Sequence, residues 1–209
     1  MTKRTLRFSL SSYWRVSSGK GSDAVADVLV LRDANGLPTI PGRAVKGLLR
    51  EAMTLATLSG TVSRDRVVRW FGSELPGHGG DQPVSGDHRE KQLEAGRFES
   101  TEAGLWFGSA SLPAAWGSWA CQNRGSKEVK ALFGFQSSTS IGDDGMAVDH
   151  TLRVSEVAIP MDLRAEVCGP SDDLSWVEDL RSCLPLLRCL GSRRNRGLGR
   201  VDVSLEEAK

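Results

Sequence analysis

The order in which hydrophobic periods change along this chain constrains its fold more than any other feature. Residues 6–16 place apolar side chains at alternate positions, the period of a strand with one buried face. From Arg43 the period becomes helical, with Ala44, Val45, Leu48, Leu49, Ala52, Met53 and Ala56 on one side. Residues 104–110 and 155–167 read as two further strands. Val177, Leu180, Leu184, Leu187 and Leu190 then predict a second amphipathic helix, and Val201, Val203 and Leu205 a last strand. Strand, helix, strand, strand, helix, strand is the α+β pattern called ferredoxin-like or RRM-like. It describes a four-stranded antiparallel sheet with both helices on one face.

The remaining segments hang from that frame. A short apolar run at 28–31 ends in the turn signal Asp33-Ala34-Asn35-Gly36, and Pro38 and Pro41 keep the chain extended as far as Gly42. Residues 64–70 predict a further helix ending in Phe71-Gly72. Residues 75–103 are rich in glycine and charge and poor in apolar side chains, which predicts a surface insertion. In the middle of the chain, residues 136–148 combine small polar residues with a glycine turn and predict a protruding hairpin.

With 209 residues, 39% of them hydrophobic and 25% charged, the chain suits one domain with insertions. No apolar run approaches the ~20 residues that span a bilayer, and residues 1–10 lack the apolar stretch of a secretory signal. A cytoplasmic protein with no membrane partner is expected. Cys121, Cys168, Cys183 and Cys189 form no CxxC pair and read as reduced packing residues. His78 and His88 lie near Asp81 and Asp87 but in the predicted insertion, so no preformed metal site is expected there. Trp116 and Trp119, in a glycine-containing stretch, are candidate subunit-contact residues, whereas Trp14, Trp106 and Trp176 belong to apolar periods.

Charge is where function enters. The formal net charge is only +1, yet residues 190–200 hold four arginines, Arg193, Arg194, Arg196 and Arg200, and three glycines, Gly191, Gly197 and Gly199. Glycine admits positive φ and close backbone approach, and the arginine fork matches phosphate oxygens in pairs, so this loop is suited to phosphates. It has neither the P-loop nor the dinucleotide spacing, and it joins helix to strand where those motifs join strand to helix. Arg43, Lys46 and Arg50 form a second basic stripe, opposite the apolar face of their helix. If both helices pack on one sheet face, the loop can lie beside the start of the first helix and complete one phosphate-tracking groove.

Residues 37–50, LPTIPGRAVKGLLR, resemble the IPGSSxKGxxR signature of the RAMP superfamily, the repeat-associated proteins of CRISPR effector complexes. Residues 191–200 are similar to that superfamily's glycine-rich loop, Trp70-Phe71-Gly72 to the "FG" after its helix, and residues 104–112 to its "Gxlxf.DA" strand. Within the superfamily the chain resembles the repeated backbone subunit of type III effectors. The resemblance implies a palm at about 5–72, 104–120 and 155–206, an insertion at about 75–103, and a thumb at about 121–154. Such a thumb pushes between base pairs, and Met146 is the apolar wedge it implies.

The same resemblance implies a catalytic role for Asp27. It falls at the position of the aspartate that cuts bound target RNA, in a loop where the family commonly reads Asp-Ser-Pro and this chain reads Asp27-Val28-Leu29; Arg32-Asp33 match the basic-acidic pair before the turn. The implied chemistry is attack of a 2′-hydroxyl on its neighbouring phosphate, with the carboxylate taking the proton or holding a divalent ion such as Mg2+. The implied partners are guide CRISPR RNA, complementary target RNA and other effector subunits, copies of this chain among them. A non-catalytic RNA-binding assembly subunit, and an RNA-processing endonuclease acting through His150, are the alternatives within the superfamily. A metabolic enzyme of ferredoxin-like fold is the reading outside it.

Overall fold

The computed structural model describes residues 1–21, 26–73 and 101–206. Its main sheet has four strands: β1 (Thr2–Leu10), β2 (Trp106–Phe107), β5 (Asp162–Gly169) and β6 (Val201–Glu206). They lie in the order β2-β5-β1-β6 with every neighbouring pair antiparallel. Helix α1 (Gly42–Leu58) connects β1 towards β2, and a helix spanning Ser175–Cys183 connects β5 to β6. This is the expected α+β, ferredoxin-like arrangement.

The alternation in β1 does what period 2 requires. Leu6, Phe8 and Leu10 are buried against the helices, and Leu163, Ala165 and Val167 of β5 face the same way. Val45, Leu49, Ala52, Met53 and Ala56 press α1 onto that surface. The opposite face of the sheet is self-paired: Lys3 Nζ meets Glu166 at 2.8 Å, Arg7 meets Asp162 at 2.6 Å, and Arg164 meets Glu206 at 3.4 Å. Hydrogen bonds from Ser9 and Arg7 hold the Asp162 carboxyl below its ordinary range. Trp106 at 55% exposure is the one large exposed aromatic on these four strands, so the open face is an ionic lattice and lacks the row of aromatic rings with which RRM sheets stack bases.

Two predicted strands are each divided in two. The run 6–16 leaves the main sheet after Leu10, and Trp14 then pairs with Ala158 on a second, two-stranded sheet. That sheet is the hairpin of β3 (Phe133–Ser138) and β4 (Arg153–Ala158). The run 155–167 breaks between β4 and β5, around Pro160, which has no N–H to donate to a ladder. In both cases alternation continues across the break while the pairing partner changes, so the pattern alone could not report the division.

Helix α2 (Arg64–Phe71) forms as predicted, with Ser63 Oγ accepting from Arg66 N. Asp179, buried at 4% exposure, accepts from Arg66 at 2.5 Å and from Trp70 Nε1 at 2.7 Å, and so clamps α2 to the helix after β5. Two short helices, α3 (Ala114–Gln122) and α4 (Lys127–Lys130), occupy a stretch whose apolar residues show no helical period. The helix before the arginine loop, α5 (Ser175–Cys183), is shorter than its apolar pattern. It gives way to a 3-10 turn at Leu184–Leu186 that contains Pro185, yet Leu184, Leu187 and Leu190 stay buried. Cys183 lies inside α5, where burial pushes its thiol up to about 12, consistent with a packing cysteine. No helix among the described residues is long and apolar enough to cross a membrane. The insertion at 75–103, with His78, His88, Asp81 and Asp87, falls almost entirely outside the described residues.

Candidate nucleic-acid interface

The glycine-arginine loop is built as a crossing of backbones. Leu190 N donates to Gly199 O at 2.9 Å, Gly199 N to Tyr13 O at 2.8 Å, and Ser192 N to Arg15 O at 2.8 Å. Gly191, Arg193, Gly197 and Gly199 all have positive φ, from 58° to 83°. The three glycines are nevertheless not equivalent. A Cβ on Gly199 would fall 1.9 Å from Leu190 O and one on Gly191 2.3 Å from Arg15 O, whereas one on Gly197 meets nothing within 4 Å. Gly191 and Gly199 therefore serve the backbone crossing, and Gly197 faces open space.

Two arginines of the loop fasten it to different parts of the molecule. Arg194 makes a two-pronged contact with Glu51 of α1, both distances 3.1 Å, and this pairing raises its pKa. Arg193 donates to Ser138 Oγ at 2.9 Å, at the end of β3. The loop thus bridges the first helix and the hairpin. Arg196 and Arg200 are exposed, and their side chains make no hydrogen bond or ion pair among the described residues.

The basic stripe divides in the same way. Arg43 is exposed and Lys46 half-buried, and neither meets an acceptor among the described residues, whereas Arg50 donates to Gly72 O at 2.6 Å and ties α1 to the end of α2. Glu51, where the loop lands, lies about 80° round the helix from Arg43 and ~12 Å farther along it. The loop accordingly meets α1 about two turns in, which corrects the expectation that it lies beside the start of that helix. Between Arg43 and Glu51 on the wheel sits Gly47, exposed and with open space where a Cβ would be. The two basic surfaces share the solvent side of α1.

Asp27 is exposed and docked on the hairpin. Its Oδ2 accepts from Val154 N at 2.7 Å, and its own N–H donates to Val154 O at 2.9 Å. Glu156, two residues on and only 3% exposed, accepts from Val30 N at 2.9 Å and from Arg32 at 2.6 Å; Arg32 also stacks on Phe133, 3.8 Å from its ring centre. Asp33 Oδ1 accepts from Asn35 N and Leu37 N and so closes the turn. Arg153 is the register partner of Ser138, the residue that Arg193 grips. Asp27 and the arginine loop therefore both attach at the same end of the hairpin. Among the described residues no group of three His, Cys, Asp or Glu stands ready to hold a metal ion.

Beyond Ser138 the hairpin projects. Ile141 bridges Ala147, Gly142 N donates to Met146 O, and Asp144 accepts from Met146 N. Met146 is 69% exposed, and Ile141, Val148 and Leu152 are exposed beside it. Among the described residues nothing covers this apolar tip, a combination that marks interaction surfaces. His150 stands here as well, exposed and at φ 60°. Glu156, Ser138 and the buried Arg15 lie in segments predicted as strands or hairpin, and nothing in the sequence marks them as site residues. Glu156 alone stands out there, as a carboxylate in a run otherwise read as core strand.

Solved structures with this fold share little sequence with the chain. One, the Type III-B Cmr-beta assembly in its apo state, has a chain that superposes with a TM-score of 0.64 at 12% identity, over 98% of this chain and 97% of that one. Another, Type III-B Cmr-beta bound to cognate target RNA, gives a TM-score of 0.61 at 13% identity; all of this chain corresponds to 62% of that one. No curated protein matches the sequence. The sequence profile of the RAMP superfamily matches residues 7–202, nearly the whole of the fold described above, and the chain therefore belongs to the RAMP superfamily.

Proposed function

We propose that this chain is a guide-RNA-binding backbone subunit of a type III or type III-like CRISPR ribonucleoprotein, and that it cuts complementary target RNA through Asp27. The observation that carries the reading is the double attachment of the arginine loop, to α1 through Arg194–Glu51 and to the hairpin through Arg193–Ser138. The arginine loop and the exposed carboxylate of Asp27 are then both attached to the hairpin that carries the apolar tip. The similar fold of chains in Type III-B Cmr-beta assemblies, one of them bound to cognate target RNA, supports membership of such a complex. Its partners under this reading are the guide, the target and neighbouring effector subunits, further copies of this chain included.

In this role Arg43, Lys46, Arg196 and Arg200 track phosphates, and Gly197 and Gly47 admit the sugar-phosphate backbone closely. Met146 and Ile141 unstack one base step, so that a nucleotide beside Asp27 leaves the helical geometry that protects it from in-line attack. Asp27 takes the proton of the attacking 2′-hydroxyl, and the hydrogen bond from Val154 N fixes its orientation. A divalent ion such as Mg2+ would bind to Asp27 together with RNA phosphate oxygens and water, and would stabilise charge developing on the scissile phosphate. A purely assembling subunit is the second reading, and Asp27 separates the two.

The test of binding is purification with partner subunits at moderate salt, followed by measurement of retained guide. Arg196→Ala with Arg200→Ala is expected to weaken retention by about tenfold and to flatten the salt dependence by about 1.4 units, 0.7 for each phosphate contact on a single strand. Gly47→Ala should raise the stability of the free chain by about 0.5–1 kcal/mol, since a solvent-facing helical glycine is replaced by the best helix former, and should still lower retention. Parent-like retention in both variants would remove the loop and α1 from the interface.

A further inference from the structure

Arg15 follows Trp14 on the segment that crosses from the main sheet to the hairpin. It is only 6% exposed, yet its Nε and Nη1 find no hydrogen-bond partner, and no carboxylate pairs with it among the described residues. Its carbonyl receives the N–H of Ser192 and lies against Gly191, so the residue sits directly beneath the arginine loop. Burial, and then repulsion from Arg193, lower its pKa. Buried charges in folded proteins are ordinarily paired, because removing an ion from water without a counter-charge is strongly unfavourable. The charged group that acts on it is instead a second cation, Arg193. That second cation is also in an unusual state: Arg193 holds a left-handed backbone at φ 58°, a conformation a non-glycine residue keeps only when its surroundings impose it.

We propose that Arg15 and Arg193 together form a phosphate clamp, in which one internucleotide phosphate of bound RNA enters beneath the loop and pairs with both guanidinium groups. This rests on the RNA-binding reading above and adds to it a residue that the exposed basic surfaces do not include. The phosphate supplies the missing acceptor for Arg15 and relieves the repulsion between the two cations. Two forks on one phosphate also fix the strand's register against the hairpin, since Arg193 is itself held by Ser138. Inorganic phosphate offers the same oxygens and at least as much charge but is not delivered by neighbouring phosphate contacts, so the site should prefer the polymer.

The test uses the full chain with a fluorescent single-stranded RNA. Arg15→Met is expected to weaken binding about tenfold and to reduce the salt slope by about 0.7, with Arg15→Lys intermediate because the charge survives and the fork does not. The Arg15 Nε–Hε nuclear magnetic resonance signal, assigned by its loss in the Lys variant, should shift as RNA saturates the parent chain. Inorganic phosphate at equal ionic strength should move it only at far higher concentration. If the parent binds RNA while that signal stays still, the clamp is wrong and the wider reading survives. An equal response to inorganic phosphate overturns the preference for RNA, and a parent chain that binds no RNA overturns both. Should Arg15→Met fail to fold, the signal in the parent chain still decides.

Discussion

Asp27→Asn in the purified, guide-loaded complex is expected to cut complementary RNA at least ~100-fold more slowly than the parent, the lower end of what a positioned general base contributes. Asparagine is the informative replacement, because its carbonyl oxygen can still accept from Val154 N and keep the loop docked on β4. Loss of rate then reports loss of the carboxylate and leaves the fold unchanged. Single-turnover cleavage of a labelled target, read as a ladder of cuts, measures it, and target affinity measured in parallel should not change. A ladder of parental intensity would remove the enzymatic role and leave an assembling, RNA-binding subunit. Glu156→Gln provides a contrasting case. Glu156 orients the Asp27 segment through Val30 N and Arg32 without facing the solvent side, so its loss should slow cutting less.

The second large effect is on stability. Gly199→Ala places a methyl group 1.9 Å from Leu190 O at φ 70°, against a backbone that is itself hydrogen-bonded to Gly199. The crossing must open, and a loss of about 3 kcal/mol is expected, from a left-handed penalty together with broken backbone pairing. For a chain of this size that corresponds to a fall of roughly 6–12 °C in Tm. Gly197→Ala shares the left-handed backbone but meets open space, so its loss should be only about 1–2 kcal/mol. Thermal unfolding of the two variants separates a packing role from a merely conformational one. Equal falls in Tm would mean that the crossing is not what holds the loop.

That contrast marks how far the loop could be read beforehand. Its composition identified seven residues as one phosphate-binding unit, yet four of them have structural contacts in the folded chain: Gly191 and Gly199 make room for backbone, Arg194 is satisfied by Glu51, and Arg193 also holds Ser138. On α1 the same division appears, with Arg50 bound to Gly72 O and Arg43 left to solvent. A basic side chain looks the same in sequence whether an acceptor from a distant segment meets it or not. Asp27 was legible only through family resemblance, since nothing in its local sequence distinguishes it from a loop aspartate. Its docking on Val154 depends on a segment 127 residues away.

The one-dimensional pattern was sufficient for the order and type of the main elements. Periods of 2 and 3.6 record which side of each element is dry, and the observed sheet with α1 and α5 on one face buries all those sides together. The amphipathic period likewise placed the cations of α1 on its outer surface. Tertiary structure alone decided where strands change partner, at Leu10 and before β5, because alternation is blind to which neighbour supplies the hydrogen bonds. It alone decided which arginines are spent on the protein and which remain for a ligand. It also buried the Arg15 side chain with no carboxylate partner among the described residues, because charge balance at a site is a property of distances between groups remote in the chain, and those distances do not exist until the chain has folded.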